Sequence, residues 1–442
     1  MEDNNTIRLR VFSLNCWGIR YLSKHRLERY SMIGELLSRE QHDIVLLQEV
    51  WSEKDFLGLK RELSSSHPYS HYFKSGVIGS GLATFARHQI HDAFLYRYSL
   101  NGYPYMAHHG DWFGGKAVGV VILKIGGLTA NVYVTHLHAE YSRDKDSYLP
   151  HRVVQVWELQ QFIRHTSGGA DMVILGGDLN MHPQDLGTRL LRTSTGLLDS
   201  YTETAKFDGC EGGITLIAEN PFINPKELGP FEKGVRIDYI MYKGSGRVSL
   251  RCVSLATTKG SVPGHPFPYS DHELLTAELE LQMITQHTEG NRTREELDRN
   301  AAKLAELVDM VTEARTEVKV GLHCVERMRY TAARTGVMGL ALLLLELAIG
   351  AVPWLALGAN QPFPRTSFYL LGALCFAILL TAFLLYVFYT MEQKSLQGAE
   401  DQMRLAVGSL QERLKEFPPT HALNSLRRPS DDLDLCPLEP EE

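Results

Sequence analysis

Cysteine is scarce in this chain and scattered. Cys16, Cys210, Cys252, Cys324, Cys375 and Cys436 are the 6 in 442 residues, and none stands at a paired spacing. That argues against a disulfide scaffold and against a cysteine zinc site. Positive charge is also short: 45 Lys and Arg stand against 52 Asp and Glu, for a net charge of −7. An enzyme that grips nucleic acid through a broad cationic surface is disfavoured. The opening MEDNNTIRLR is polar and does not lead from a basic end into an apolar core, so a secretory leader is not expected. Several catalytic signatures are missing too. The HExxH pattern of zinc proteases and the GxSxG elbow of α/β-hydrolases do not occur,. FGGKAVG around Lys116 has glycines and a lysine without the spacing or the Ser/Thr of a phosphate-binding loop.

Long apolar runs, by contrast, are present twice. Thr335–Ala359 reads TGVMGLALLLLELAIGAVPWLALGA and Ser367–Thr390 reads SFYLLGALCFAILLTAFLLYVFYT. Each is long enough to cross about 30 Å of hydrocarbon at about 1.5 Å per residue. The link Asn360–Thr366 is short and holds two prolines. Arg327, Arg329 and Arg334 precede the first run, Lys394 and Arg404 follow the second, and Arg365 alone sits in the link. The positive-inside rule therefore expects both termini in the cytoplasm, in keeping with unpaired cysteines in a reducing compartment. Glu346 stands mid-span, where an exposed charge costs about 2.5–3.5 kcal/mol on insertion scales.

The flanks carry heptads. Leu297, Leu304, Val311, Val318 and Val325 recur every seven residues, with Arg315 interrupting the companion row Ala301, Val308 and Leu322. Leu396, Met403, Leu410 and Phe417 recur likewise after the second run. Two arrangements fit: one apolar face resting on a neighbouring surface, or the two helices pairing antiparallel below the membrane. The same helices offer a surface for self-association. From Pro429 the tail is acidic and is expected to be solvated.

Before Gln282 the chain alternates strand-like and helical runs: RLRVFSLN, a helix near His25 to Glu40, DIVLLQEVW, GGLTANVYVTHLH, a helix near His151 to His165, ADMVILGGDLN, RIDYIMY and SDHELLTAEL. This is an α/β pattern. Polar groups gather at strand ends: Asn15, Glu49, His136, His138, Asp178, Asn180, Asp238, Asp271 and His272. Strand ends meeting at one sheet edge are where ligand sites form. Carboxylate and amide oxygens favour Mg²⁺ or Mn²⁺ over zinc. A hard metal, a histidine and amide donors together suit metal-assisted hydrolysis of a phosphoester.

The ordered set SLNCWG, LLQEVW, THLHAE, GGDLN, RIDYI and SDHE resembles the endonuclease/exonuclease/phosphatase superfamily, over residue 7 to about residue 282. Within it, FSLNCWGI, HRLERY, LNGYPY, HHGDWF and THLHAEY with two C-terminal spans are similar to the neutral, magnesium-dependent sphingomyelinases of animals. The resemblance implies a DNase-I-like four-layer α/β sandwich as catalytic phosphodiesterase domain over 1–282. An amphipathic linker helix would follow over 283–334, membrane helices over 335–359 and 367–390, a cytoplasmic helix over 391–418 and a disordered acidic tail over 419–442. It implies hydrolysis of sphingomyelin to ceramide and phosphocholine in a bilayer, with lysophosphocholine lipids such as lyso-platelet-activating factor as further substrates. Nucleic acid is not expected as a partner. A nuclease or an inositol-phosphate phosphatase on the same fold is the alternative. The protein would sit in the endoplasmic reticulum or in the cytoplasmic leaflet of the plasma membrane.

By the same resemblance Glu49 holds Mg²⁺ (Mn²⁺ substituting) with Asn15 beside it, and Asp271 either touches the metal or fixes its turn. His272 is the general base and Asp238 orients it. Asp178 and Asn180 position the water and the phosphate oxygens, and His136 lies on the leaving-group side. Asp111 and Lys116 are either a lipid-regulated loop pair or a surface ion pair worth under about 1 kcal/mol. His138 and His151 are read as structural.

Overall fold

The computed structural model describes residues 6–224, 228, 233–284, 294–357 and 365–417. The expected acidic tail, Cys436 and all of the hairpin link but 365 and 366 lie outside the described residues.

Two sheets form the centre. The first has the strand order β10 (Phe207–Asp208), β14 (Val248–Thr257), β15 (Leu275–Met283), β1 (Thr6–Asn15), β2 (Ile44–Gln48), β4 (Leu82–Ala86), β3 (Tyr69–Phe73). The second runs β5 (Ile90–Arg97), β6 (Ala117–Ile125), β7 (Leu128–His136), β8 (Met172–Asp178), β13 (Asp238–Gly244), β9 (Leu198–Asp199). A small ribbon pairs β11 (Leu216–Ile217) with β12 (Gly234–Val235). The sheets bury Leu9, Val11, Ile44 and Leu46 of one against Val121, Val132, Ile174 and Ile240 of the other. Each such side chain contributes about 1.5–3 kcal/mol by leaving water. Their approach is close: a Cβ on Gly176 would lie 2.5 Å from Leu46 Cδ1, so a larger residue there would have to displace that buried leucine.

Helices α1 (Arg26–Glu40) and α2 (Glu53–Glu62) cover the outer face of the first sheet, where Ile33, Leu37, Phe56 and Leu59 meet Phe12, Val45 and Leu47. α3 (Asp111–Gly114) and α6 (Ser200–Glu203) are single turns. α4 (Leu149–Thr166) and α5 (Leu186–Thr195) cover the second sheet. This is the DNase-I-like α/β architecture, followed by α7 (Arg294–Leu357) and α8 (Arg365–Lys415).

α7 and α8 are antiparallel: Arg315 Nε meets Glu400 Oε1 at 2.7 Å, Gln393 Nε2 meets Glu326 Oε1 at 3.2 Å, and Gly350 lies against Phe368. They also rest on the globular part. Met310, Val311 and Val318 of α7 and Leu396 and Met403 of α8 share one buried cluster with Val153, Val156 and Trp157 of α4. Trp157 Nε1 donates to Gln402 Oε1 at 3.0 Å. Both arrangements that the heptads allow are therefore realised together: the helices pair with each other and rest on α4. Arg315 interrupts its row because its partner is Glu400. Further along, each helix has a stretch long and apolar enough to cross a membrane, of which only 11% is buried. Mid-stretch, Glu346 faces Gly372, and neither carboxyl oxygen has a hydrogen-bond partner.

A chain ending at Gln282 would uncover the apolar face of α4 around Trp157. We expect its melting temperature to fall by several degrees or more, since about 1 kcal/mol shifts a domain of this size by about 2–4 °C. Thermal denaturation with an apolar dye checks this; an unchanged melt would mean that the helices add nothing to the domain.

Candidate active site

β1 and β2 run parallel, as do β7 and β8, while β13 runs antiparallel to β8. The carboxyl ends of β1, β2, β7 and β8 and the start of β13 thus share one edge of the sandwich. Asn15, His136, Asp178 and Asp238 are the residues at these ends, and Glu49 follows β2 directly. The fold brings them together. Asn15 Nδ2 donates to Glu49 Oε1 and to Asp178 Oδ2, each at 3.1 Å, linking the two sheets. Its Oδ1 accepts from the Trp17 amide at 3.0 Å, which fixes the amide's orientation.

Glu49 and Asn180 both have positive φ, at 56° and 49°. Such strain in non-glycine residues is tolerated where surrounding structure holds it, commonly at functional sites. Trp51 Nε1 donates to Glu49 Oε2 at 3.3 Å. The Asn180 amide nitrogen donates to Asp178 Oδ1 at 2.8 Å, and its Nδ2 to the Leu137 carbonyl at 3.0 Å.

Asp238 lies opposite Asp178 in the ladder. Burial, and then the Asp238 charge, push the Asp178 carboxyl up to about 7. His272 Nδ1 donates to Asp238 Oδ2 at 2.8 Å, leaving Nε2 facing Asp178 Oδ2 at 3.9 Å. Burial alone would lower the imidazole's pKa; the Asp238 charge and hydrogen bond override it and hold His272 well above the usual value. The segment SDHE is loop, not strand: β15 starts at Leu275. Asp271 accepts from Ser270 Oγ at 3.0 Å, and burial, with Glu49 adding to it, pushes its carboxyl up to about 6.

Asp111 and Lys116 are not a surface pair. They are 6% and 3% exposed, with Lys116 Nζ 3.1 Å from Asp111 Oδ1. The loop folds inward because Tyr141 donates to Asp111 Oδ2 at 2.6 Å and the same lysine Nζ also reaches the site, 2.8 Å from His136 Nε2. Burial would raise the Asp111 carboxyl, yet Lys116, His138 and Tyr141 together hold it below its ordinary value. Burial and the Lys116 charge hold His136 well below the usual imidazole value, so it is a neutral acceptor of the lysine's proton. His138 Nδ1 meets the Ala139 carbonyl at 2.9 Å, and burial lowers it to about 4. His151 Nδ1 accepts from the Gly102 amide at 3.1 Å, so Nε2 carries the proton and donates to Glu392 of α8 at 2.9 Å.

Sequence reading missed several supports. Arg29 is fully buried and donates to the carbonyls of Cys16, Trp17 and Tyr269, pinning the loop after β1 to the segment before Asp271. Thr215 Oγ1 accepts from the Asp238 amide at 3.2 Å. HRLERY marks Arg29 only as part of a resemblance, and Thr215 carries no signal, because their partners are distant in sequence.

Two oxygen-rich groupings could take a cation. Asp178, Asp238 and His272 place one ligating atom each within 4.8 Å of one another. Glu49 and Asn15 adjoin them, and Glu49 is the more accessible carboxylate, with its side chain 14% exposed. Asp238 Oδ1 is buried without a partner, and crowded carboxylates raise one another's pKa. The residues therefore fit a hard divalent cation. A prediction without turnover follows. Asp178, Asp271 and His272 bind protons more tightly folded than unfolded. The stability this gives is present below their unfolded values and is lost as pH rises through the folded ones. Buried His42, His67, His136 and His138 are shifted the opposite way, so the site's share is read as a difference. Mg²⁺ should raise the melting temperature more at about pH 8 than at about pH 5, because below the raised values it must displace protons. Asp178→Asn should shrink that difference. A Mg²⁺ shift no larger at the higher pH would contradict it.

Residues 12–272 match the Endonuclease/Exonuclease/phosphatase family. Sphingomyelin phosphodiesterase 2 of Mus musculus is 46% identical over 406 residues, covering 91% of this chain and 93% of the mouse protein. Its Homo sapiens counterpart is 44% identical over 412 residues, covering 93% and 94%. The Inositol phosphosphingolipids phospholipase C of Schizosaccharomyces pombe is 40% identical over 306 residues, covering 64% and 71%. This chain belongs to the endonuclease/exonuclease/phosphatase family and, within it, to the sphingomyelin phosphodiesterases, and it is a phosphodiester hydrolase.

Proposed function

We propose that this protein hydrolyses sphingomyelin to ceramide and phosphocholine at a membrane, with Mg²⁺ held by Glu49 and Asn15 and with His272 as general base. What carries the reading is the buried Asp238–His272 pair, hydrogen-bonded at 2.8 Å and facing Asp178, in a chain 46% identical over 406 residues to a mouse sphingomyelin phosphodiesterase. Asp238 and His272 are bonded to each other, which favours Glu49 and Asn15 as the metal's holders, with Asp271 beside them.

When bound, magnesium supplies Lewis-acid polarisation of the phosphoryl oxygens. The chain's own groups do the rest. Asp238 accepts the Nδ1 proton and so presents the His272 Nε2 lone pair to water. Asp178 and Asn180 position that water and the phosphate oxygens. His136 lies on the leaving-group side. Its Nε2 accepts from Lys116 Nζ at 2.8 Å and holds the lysine in place, so that the ammonium's charge stabilises the ceramide alkoxide. Asp111 fixes Lys116, and movement of the Asp111–Lys116 loop would regulate the site. In-line attack then releases phosphocholine. Lysophosphocholine lipids share the headgroup and are turned over as well.

α7 and α8 span a membrane with both termini cytoplasmic, so that the site works on the endoplasmic reticulum or on the cytoplasmic leaflet of the plasma membrane. They hold the site in the plane of its substrate and raise its effective concentration there. They also offer a face for self-association. Full-length protein with Mg²⁺ is offered sphingomyelin, a lysophosphocholine lipid, supercoiled DNA and an inositol phosphate in parallel. We expect phosphocholine from the two lipids and intact DNA. Nicked DNA or free phosphate as the main product would favour the nuclease or phosphatase reading instead.

A further inference from the structure

α8 lies along α4 from one edge of the sandwich to the other. Glu392 meets His151 in the first turn of α4, and Gln402 meets Trp157 further along. In the last turn of α4, Arg164 lines a cavity with Leu410 and Arg413. Residues of α8 before 388 therefore project past the start of α4. That is the catalytic edge, because Phe388 and Tyr389 meet Tyr103 and Tyr105 edge-on, with ring centroids 6.1 and 6.3 Å apart, in the loop that leads to Asp111. The apolar stretches of both helices leave the molecule from the side on which Glu49 and His272 lie.

Two loops on that same edge present large apolar side chains to solvent. Between β1 and α1, Tyr21 is 90% exposed and Leu22 72%. Between β3 and β4, Val77 is 78% exposed and Ile78 55%. The loops are held firmly. The Val77 and Ile78 amides donate to the Phe113 carbonyl at 2.9 and 3.0 Å, and the Gly18 amide to the Glu49 carbonyl at 3.1 Å. The Val50 amide donates to the Gly81 carbonyl at 2.9 Å. Both loops are thus tied directly to the backbone around Glu49. Contiguous exposed apolar groups on a rigid edge mark a surface that another phase covers. The first loop adds Arg20, whose guanidinium lies 5.5 Å from the Tyr21 ring, and Lys24. Aromatic and aliphatic tips beside basic residues are the composition of a membrane–water interface.

We propose that Tyr21 and Leu22, with Val77 and Ile78, are two prongs that insert into the interfacial layer of the leaflet from which α7 and α8 enter. They seat Glu49 at the depth of the phosphodiester. The occupant is the bilayer, since the apolar stretches leave from this edge. The proposal rests on the reading that those helices span a membrane, and the test separates the two.

Full-length protein, with Cys210, Cys324 and Cys436 changed to serine, carries a polarity-sensitive fluorophore on Leu22→Cys, Val77→Cys, Leu374→Cys or Lys60→Cys. It is reconstituted in phosphatidylcholine–sphingomyelin nanodiscs, and quenching by nitroxide-labelled lipid is read. Leu22 and Val77 should be quenched at least threefold more than Lys60, and Leu374 also. Quenching at Leu374 with none at Leu22 or Val77 overturns the prongs and leaves the spans standing. No quenching at Leu374 overturns the span reading and the prongs with it. Labels shielded from water only at high protein concentration would make a second copy the occupant, against the proposal. In parallel, serine at Tyr21, Leu22, Val77 and Ile78 together should lower turnover on vesicles at least tenfold. It should leave a water-soluble phosphocholine ester, kept below its micelle concentration, at the wild-type rate. Equal loss on both substrates would assign the four residues to the active site's own structure.

Discussion

Glu49→Ala is expected to remove sphingomyelin hydrolysis to background, a loss on the order of 10³-fold, the scale of several kcal/mol of charge stabilisation. Asn15 Nδ2 joins Glu49 to Asp178, so losing the carboxylate removes the accessible anion of that set. Excess chelator should have the same effect on the unaltered protein. Mg²⁺ or Mn²⁺ should restore activity and Zn²⁺ should not, because oxygen donors suit hard cations. The variant should fold: its metal-free melt should be unchanged or higher, since Glu49 helps push the Asp271 carboxyl up. Phosphocholine release against added metal is the measurement. Full turnover in excess chelator would sink the metal reading.

His272→Ala should lower turnover by on the order of 10²-fold or more, the usual scale for a general base. The pH profile carries more information. A base acts deprotonated, and Asp238 holds His272 protonated to higher pH than a free imidazole. The rate should therefore rise with pH along a limb displaced to the alkaline side. Asp238→Asn removes the charge, so the limb should move to lower pH while the maximum falls because the ring loses its orientation. A His272 variant keeping a tenth of wild-type turnover would show that another group takes the proton.

How far could the chain be read unaided? The strands that end at the site were legible because they are buried on both faces and run apolar up to one polar residue, as VILGGD does in β8. The stretch from β3 to β6 was not. β3 and β5 lie at sheet edges, the first mostly half-exposed and the second mostly exposed, so neither shows a clean period. SDHELLTAEL shows Asp271 and His272 at a turn before an apolar strand, but not what holds that turn, which is fixed by Arg29 and Ser270 contacts from more than 200 positions away. For Asp111 and Lys116 the sequence left a regulated loop pair and a surface ion pair both open, because spacing reports no burial.

The sequence alone determined the α/β class, the polar groups that stand at strand ends and the two apolar helices, since each is written in local periodicity and composition. Only the tertiary structure decided which polar groups meet. Asp178 faces Asp238 through strand register, and Asn15 reaches Glu49 beside it in its own sheet and Asp178 across the sandwich because the two sheets pack face to face with these strand ends together. It likewise decided that Lys116 points inward to His136, and that α7 and α8 both pair and lie along α4, leaving from the catalytic edge. Such facts depend on contacts between residues far apart in the chain, which no local pattern encodes, because burial and charge proximity arise only when the layers close.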